Sequence, residues 1–322
     1  MDPARVVVTG PMNPRVLDAL RQRFDVAAYP NATEAARLEA SSPGAKARAV
    51  ASGSSHGKID AALFNALPSL EIVAHFGVGY ETVDAVEAAR RGIVVTNTPG
   101  VLDADVADLA LGLMIATVRQ FARAERFVRS GAWTKAKFPL GPSLRNRKVG
   151  ILGLGRIGKA VAERCRALGL SVAYHGRQPQ TDVPFAYFAS PVDMAEAVDI
   201  LVVTAPGGEA THHIVNEGVL AALGSQGVLI NVARGSLVDE QALASALQQG
   251  TIFAAGLDVY ENEPHVSDAL LALDNVVLLP HIGSASVETR NAMSDLLTGN
   301  IVSWLDGNGA LTPVPECFAI PI

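Results

Sequence analysis

Short apolar runs and helical stretches alternate along most of this chain. Residues 5–97 carry the runs Val6–Val8, Val26–Ala28, Ala49–Ala51, Ile72–Ala74 and Ile93–Val95, with helical stretches such as Pro14–Arg23 and Thr82–Arg91 between them. A second series opens at Val149–Leu152. It continues through Leu170–Tyr174, Ile200–Thr204, Val228–Val232, Phe253–Val259 and Val276–Leu279, separated mostly by helices that include Arg156–Leu168 and Glu240–Gln249. Near-continuous apolar strands alternating with helices predict an α/β protein with parallel sheets covered on both faces. Between the two series the pattern predicts one long helix, about Asp105 to Ser130, followed by Gly131. Its first half is too apolar for a free linker, so burial at a domain or subunit contact is expected. The last segment, from about Glu288, reads as another long helix and a Pro-rich tail. Crossing back over the first domain, it would supply the closing helix that domain lacks. No repeat period or low-complexity tract interrupts the pattern.

Composition narrows the classes. A chain of 322 residues has room for two cores. With 49% apolar and 18% charged residues it is a folded protein. A net charge of -6 argues against a broad nucleic-acid surface. Cys165 and Cys317, far apart and in no metal spacing, imply a reducing compartment, no disulfide framework and no metal site. The apolar run Val106–Val118 is broken by Asp108 and too short to span a bilayer. Met1-Asp2-Pro3 does not begin a basic region followed by an apolar one, so no signal peptide is expected. A soluble cytoplasmic protein is the expectation.

The chemistry begins at Gly153-Leu154-Gly155-Arg156-Ile157-Gly158, directly after the apolar run Val149–Leu152 and directly before a helical stretch. G-x-G-x-x-G alone is weak, but a strand before it and a helix after it are what a dinucleotide fingerprint requires. Gly153 would permit the tight turn, Gly155 would admit a pyrophosphate to the backbone, and Gly158 would let helix and strand pack closely. A helix N-terminus there favours phosphate. The second series is therefore read as a Rossmann-type domain. An NAD-preferring site places an acid at the end of the next strand. Here that strand ends in His175-Gly176-Arg177-Gln178, with no acid before Asp182. Arg177 could instead hold a 2'-phosphate through charge-assisted hydrogen bonds, so NADPH is expected over NADH, with NADH possible. The plainer reading is a solvated arginine beside a small-residue turn.

Three further segments stand at strand ends of the second series: Asn231–Gly235, Gly256–Pro264 and Pro280–Ser284. Loops after the carboxyl ends of strands share one crevice in a doubly wound sheet. Arg234, Glu263 and His281 in such loops suit reduction of a 2-oxo acid. Arg234 can bind the carboxylate and polarise the neighbouring carbonyl. His281 can give a proton to the oxygen as hydride reaches carbon. Glu263, paired with His281, would orient the ring and favour its charged form. Singly, each has a duller reading: a helix cap, an exposed turn residue and a satisfied core histidine. In the first series, His75–Tyr80 again follows a strand, and amides at Val78 and Gly79 could receive a carboxylate, with Phe76 as an apolar wall. The alternative there is a glycine-rich turn with His75 packed inside.

At these residues the chain resembles the D-2-hydroxyacid dehydrogenase family over nearly its whole length. Asn97–Gly100, Val106-Ala107-Asp108, Gly153–Gly158, Arg234, Asp258, Glu263-Pro264 and Pro280-His281 carry the likeness in order. Asp108 departs from the family's usual glutamate. The resemblance implies a flavodoxin-like substrate-binding domain from residues 1–98 and 289–322, a coenzyme domain over 99–288 inserted into it, and a homodimer. It implies catalysis by Arg234, Glu263 and His281. The coenzyme is implied to lie against Gly153–Gly158, Gly176, Arg177, Gln178, Ala205, Pro206, Thr211, Val232, Ala233, Asp258 and Gly283, with Asp258 on the nicotinamide amide. Substrate would meet Phe76, Val78, Gly79, Arg234 and His281.

Within the family, Phe76–Tyr80, Gly176–Pro179 and Pro280–Ala285 look most like NADPH-preferring glyoxylate/hydroxypyruvate reductases. Such enzymes can place a partner subunit's tryptophan near the substrate. Trp133 is the candidate here, although Ala136 could hold that position. The competing readings are a 3-phosphoglycerate dehydrogenase, which normally shows an acid near Gly176, and a coenzyme-sensing corepressor of the same fold. A formate dehydrogenase, needing no proton donor, fits the Arg-Glu-His set poorly.

Overall fold

The computed structural model describes residues 4–38 and 43–320, so the Met1-Asp2-Pro3 reading and the last two residues of the tail lie outside the described residues. The chain divides into two compact units, Met1–Leu102 with Ser286–Ile322, and Asp103–Ala285. The sequence-drawn boundaries, 98/99 and 288/289, lie within four residues of these.

The first unit opens with β1 (Arg5–Thr9), α1 (Pro14–Arg21), β2 (Asp25–Tyr29), α2 (Ala32–Ala35), β3 (Ala49–Gly53), α3 (Ala61–Ala66), β4 (Ile72–Phe76), α4 (Ala85–Arg90) and β5 (Val94–Thr96). The strands form one parallel sheet in the order β2-β1-β3-β4-β5. Every residue of β3 is buried, as expected of a central strand covered on both faces. Helix starts are fixed by short polar side chains: Asn13, Asn31, Asp60 and Asp84 each accept a first-turn amide.

The second unit runs α5 (Asp103–Val118), α6 (Phe121–Arg129), β6 (Lys148–Leu152), α7 (Arg156–Ala167), β7 (Ser171–His175), β8 (Ala186–Phe188), α8 (Pro191–Ala197), β9 (Ile200–Val203), α9 (Glu217–Leu223), β10 (Val228–Asn231), α10 (Glu240–Gln249), β11 (Ala254–Leu257), α11 (Asp268–Leu271) and β12 (Val276–Leu278). Its seven strands lie in the order β12-β11-β10-β9-β6-β7-β8, all parallel. The order reverses at β6 and β9, the switch point where doubly wound sheets bind ligands. The glycine turn follows β6 there. The chain then re-enters the first unit as α12 (Val287–Leu305), which packs on β4 and α1 and adds Leu297 and Ile301 to that core.

One expectation is corrected. The predicted helix over 105–130 is two helices, α5 and α6, separated where Gln120 turns left-handed at φ 54°. Near this end the Thr117 hydroxyl bonds back to the Leu113 carbonyl at 2.7 Å, and a left-handed non-glycine leaves no periodicity signal. The apolar half of α5 packs within its own unit against α7, β10 and β11. Gly256 makes the fit possible. A Cβ on it would stand 2.5 Å from Thr117 Oγ1 and 2.8 Å from Leu113 Cγ. The short strand β8 escaped the sequence reading because Ala186-Tyr187-Phe188 is too brief to show a period.

Gly256→Ala is expected to destabilise the protein by about 1–3 kcal/mol through overpacking. Urea unfolding measures this, and an unchanged midpoint would contradict the close approach of α5.

Candidate active site

The glycine turn is built for close approach. Gly153 has φ 98°, and a Cβ on it would lie 2.5 Å from Ala205 Cα. Thr204 Oγ1 donates to the Gly153 carbonyl at 2.7 Å, the same carbonyl against which Gly158 packs. Gly155, by contrast, borders open space, with nothing within 4 Å of where its Cβ would be. The amides of Leu154 and Gly155 reach no acceptor among the described residues. Arg156 and Ile157 begin α7, whose N-cap, Gly155, offers no side-chain acceptor to the first-turn amides. Free amides around an uncovered glycine fit a pyrophosphate.

At the end of β7, Arg177 and Gln178 are exposed, and Arg177 has no ion pair among the described residues. The nearest acid downstream, Asp182, is paired with Lys159 at 2.9 Å. Ala205, Val232 and Ala233 are buried at the ends of β9 and β10. Thr211 Oγ1 donates to the Pro206 carbonyl at 2.8 Å, closing the loop after β9.

The loops after β10, β11 and β12 interlock. Asn231 accepts the Ala233 amide at 3.0 Å and donates to the Arg234 carbonyl at 2.9 Å, shaping the turn that carries Arg234. Arg234 Nη1 donates to the Ala233 carbonyl at 2.7 Å. Any side chain on Gly235 would overlap the main chain at Tyr260–Glu261, so the arginine loop and the glutamate loop touch through bare backbone. Glu263 Oε1 accepts the Tyr260 amide at 3.1 Å, and His281 Nδ1 lies 2.6 Å from Glu263 Oε2. Burial works to raise the Glu263 pKa, but the His281 hydrogen bond and charge, the Tyr260 amide and Arg234 together hold it below its ordinary value. An ionised Glu263 accepts, so the proton of this bond belongs to Nδ1. His281 Nε2 has no partner among the described residues.

Asp258 fixes the histidine loop. It is 1% exposed. Its Oδ1 accepts the Ile282 amide and its Oδ2 the Gly283 amide, each at 2.8 Å, while His281 itself sits at φ 54°. Burial pushes the Asp258 carboxyl up, opposed by those two amides. Two carboxylates of one site are thus shifted in opposite directions.

In the first unit, the amides of Val78 and Gly79 reach no acceptor among the described residues. Asn97 Nδ2 donates to the Val78 carbonyl at 2.8 Å and the Gly77 amide to Thr98 Oγ1 at 3.2 Å, so the loop is braced with those two amides free. His75 is buried, with Ser52 and Ser54 hydroxyls at 3.1 and 3.3 Å from its ring nitrogens. The Arg290 guanidinium stands 5.6 Å from the centre of the Phe76 ring. Asp108 pairs with Arg164 at 2.6 Å.

Sequence reasoning missed Asn231 as a shaper of the arginine turn, Gly235 as the contact point, Tyr260 as a brace and Arg290. Gly235 had a signal, being a glycine directly after a candidate arginine. Tyr260 had none, because its role comes from the approach of two loops in space: its hydroxyl donates to the Leu279 carbonyl at 2.9 Å, tying the glutamate loop to the histidine loop.

With these features in place, comparison with known proteins is decisive. The family model described as D-isomer specific 2-hydroxyacid dehydrogenase, NAD binding domain, matches residues 111–283. The chain belongs to the D-isomer specific 2-hydroxyacid dehydrogenase family. It is 45% identical to glyoxylate/hydroxypyruvate reductase A of Arabidopsis thaliana over 98% of this chain and 100% of that one. It is 44% identical to hydroxyphenylpyruvate reductase of Plectranthus scutellarioides, again over 98% and 100%. Among solved structures, the NADPH-dependent glyoxylate/hydroxypyruvate reductase of Sinorhizobium meliloti, in complex with NADP and malonate, superposes with a TM-score of 0.93 at 52% identity, covering 98% of both chains.

Asp258→Asn would leave one loop amide facing an NH2 group. A buried amide left unpaired costs about 1–3 kcal/mol, so turnover is expected to fall about ten- to hundredfold with the circular dichroism spectrum unchanged. Parent turnover in this variant would remove Asp258 from the positioning of His281.

Proposed function

We propose that the protein reduces small 2-oxo acids with NADPH, foremost glyoxylate to glycolate and hydroxypyruvate to D-glycerate. The observation that carries the reading is the Glu263–His281 pair, which leaves Nε2 free to act as an acid. NADPH supplies the hydride. Arg234 binds the substrate carboxylate and withdraws charge from the carbonyl. His281 Nε2 donates the proton to the carbonyl oxygen, and Glu263 supports the charge on the ring before transfer. In the first unit, the free amides of Val78 and Gly79 receive a carboxylate, and Phe76 gives an apolar wall. Arg177, having no acid partner, takes the coenzyme's 2'-phosphate.

Likeness both to glyoxylate/hydroxypyruvate reductases and to a hydroxyphenylpyruvate reductase supports the 2-oxo acid class, and a substrate panel that varies the group on the carbonyl carbon ranks its members. A binding-only corepressor needs no proton donor, and the aligned pair at His281 favours the enzyme. No turnover on any 2-oxo acid would reverse that choice. His281→Ala is expected to lower kcat for glyoxylate by about 10²–10⁴-fold with a smaller change in KM. Turnover at the parent rate would sink the proton-donor assignment.

A homodimer is part of this reading. None of α6 is buried, and this region exposes Phe121, Val128, Trp133 and Leu140, an apolar set suited to a second copy. No helix among the described residues is long and apolar enough to cross a membrane. Two free, buried thiols accord with a cytoplasmic location. Sedimentation equilibrium should give a dimer for the parent protein and a monomer for Val128→Glu combined with Trp133→Glu; a monomeric parent would refute it.

A further inference from the structure

The loop that carries Arg177 is pinned at both ends, and its tip is left free. Tyr174, buried at the end of β7, accepts the Gln180 amide on its hydroxyl at 2.6 Å. The Gln180 side chain then donates through Nε2 to the Leu154 carbonyl at 2.8 Å. Leu154 is the second residue of the glycine turn, so one side chain joins the turn that faces a pyrophosphate to the loop that follows β7. At the near end, Tyr187 Oη donates to the Gly176 carbonyl at 3.3 Å, and its ring packs on that of Tyr174 with centroids 5.4 Å apart. His175 Nδ1 lies 2.9 Å from the Phe188 carbonyl, holding the strand end in register with β8. Between these pins, Arg177, Gln178 and Pro179 are exposed.

We infer that Gln180 and Tyr187 are positioning residues for coenzyme choice. They hold the Arg177 loop at a fixed offset from the glycine turn, so that one adenosine moiety can present its 5'-phosphate to the turn and its 2'-phosphate to Arg177 together. The inference rests on the NADPH reading above. A 2'-phosphate is only an advantage if its receiver is already placed, since ordering a free arginine on binding costs affinity. Without the 2'-phosphate the pins have nothing to improve, so NADH is indifferent to them. Short β8 owes its place to the same device, because it carries Tyr187 to Gly176.

The test is calorimetric. Adenosine 2',5'-bisphosphate and adenosine 5'-monophosphate are titrated into the full-length protein, into Gln180→Ala and Tyr187→Phe, and into each of these combined with Arg177→Ala. Both substitutions, at partly buried positions, preserve the buried Tyr174, and melting temperatures verify that the variants fold. The expected result is a loss of about five- to tenfold in affinity for the bisphosphate in either single variant, with the monophosphate within twofold. In the Arg177→Ala background, the same changes should have no further effect on the bisphosphate. Steady-state kinetics should agree, with the NADPH-over-NADH ratio of kcat/KM falling by the same factor. Equal losses for both nucleotides, or an undiminished effect in the Arg177→Ala background, would overturn the positioning role while leaving the phosphate assignment intact. If Arg177→Ala alone spares bisphosphate binding, the NADPH reading fails first and this inference falls with it.

Discussion

A buried carboxylate that accepts two main-chain amides sets the geometry of the candidate site. Asp258 closes β11 and takes the amides of Ile282 and Gly283, the two residues after His281. His281 is thereby kept in a left-handed conformation that costs a non-glycine residue about 1–2 kcal/mol. Two hydrogen bonds to a charged acceptor, about 1.5–3 kcal/mol each, oppose that strain, while burial of the carboxyl works against them. The ring is left facing Glu263, whose own amide bond to Tyr260 fixes it from the other side. Because Tyr260 and Gly235 touch backbone to backbone, the arginine loop is held in the same frame. The three proposed catalytic side chains thus owe their relative positions to main-chain contacts more than to one another.

The coenzyme half follows a parallel logic with different chemistry. There the groups proposed to meet the coenzyme are amides at Leu154 and Gly155 that have no acceptor among the described residues, made reachable by a glycine with nothing above it. The neighbouring glycines do the opposite and bring α7 and the end of β9 close beneath. Tight packing below and open space above are both consequences of missing side chains, separated by only a few residues.

Much of this was legible in the sequence. The parallel sheets were, because buried strands such as Val6–Val8 and Ile200–Val203 are unbroken apolar runs between helices. The glycine turn was also readable from the strand before it and the helix after it, and the proposed Arg-Glu-His set was picked out by residue type and strand-end position. What remained hidden depends on three-dimensional approach. Nothing in the pattern shows that Gln120 turns left-handed and divides a helix, that Gly256 admits α5, or that Tyr260 braces two loops. Asp258 was read for a role toward the coenzyme, while its contacts within the chain are with the histidine loop. Short β8 lay below any periodic signal.

The return of the chain as α12 has a consequence for biosynthesis. Residues 103–285 intervene between the strands of the first unit and the helix that covers β4. At about 5–20 residues per second, their synthesis takes on the order of ten to forty seconds. Throughout that interval the later unit can complete its own sheet, while the earlier one waits with an apolar face uncovered. The order of maturation is therefore the reverse of the order of translation, and the first unit to emerge is the last to finish. Loop-closure entropy rises only slowly with length, so the delay costs little once α12 arrives. The vulnerability is temporal: a nascent chain stalled before residue 287 would carry a finished coenzyme unit beside an open, aggregation-prone sheet.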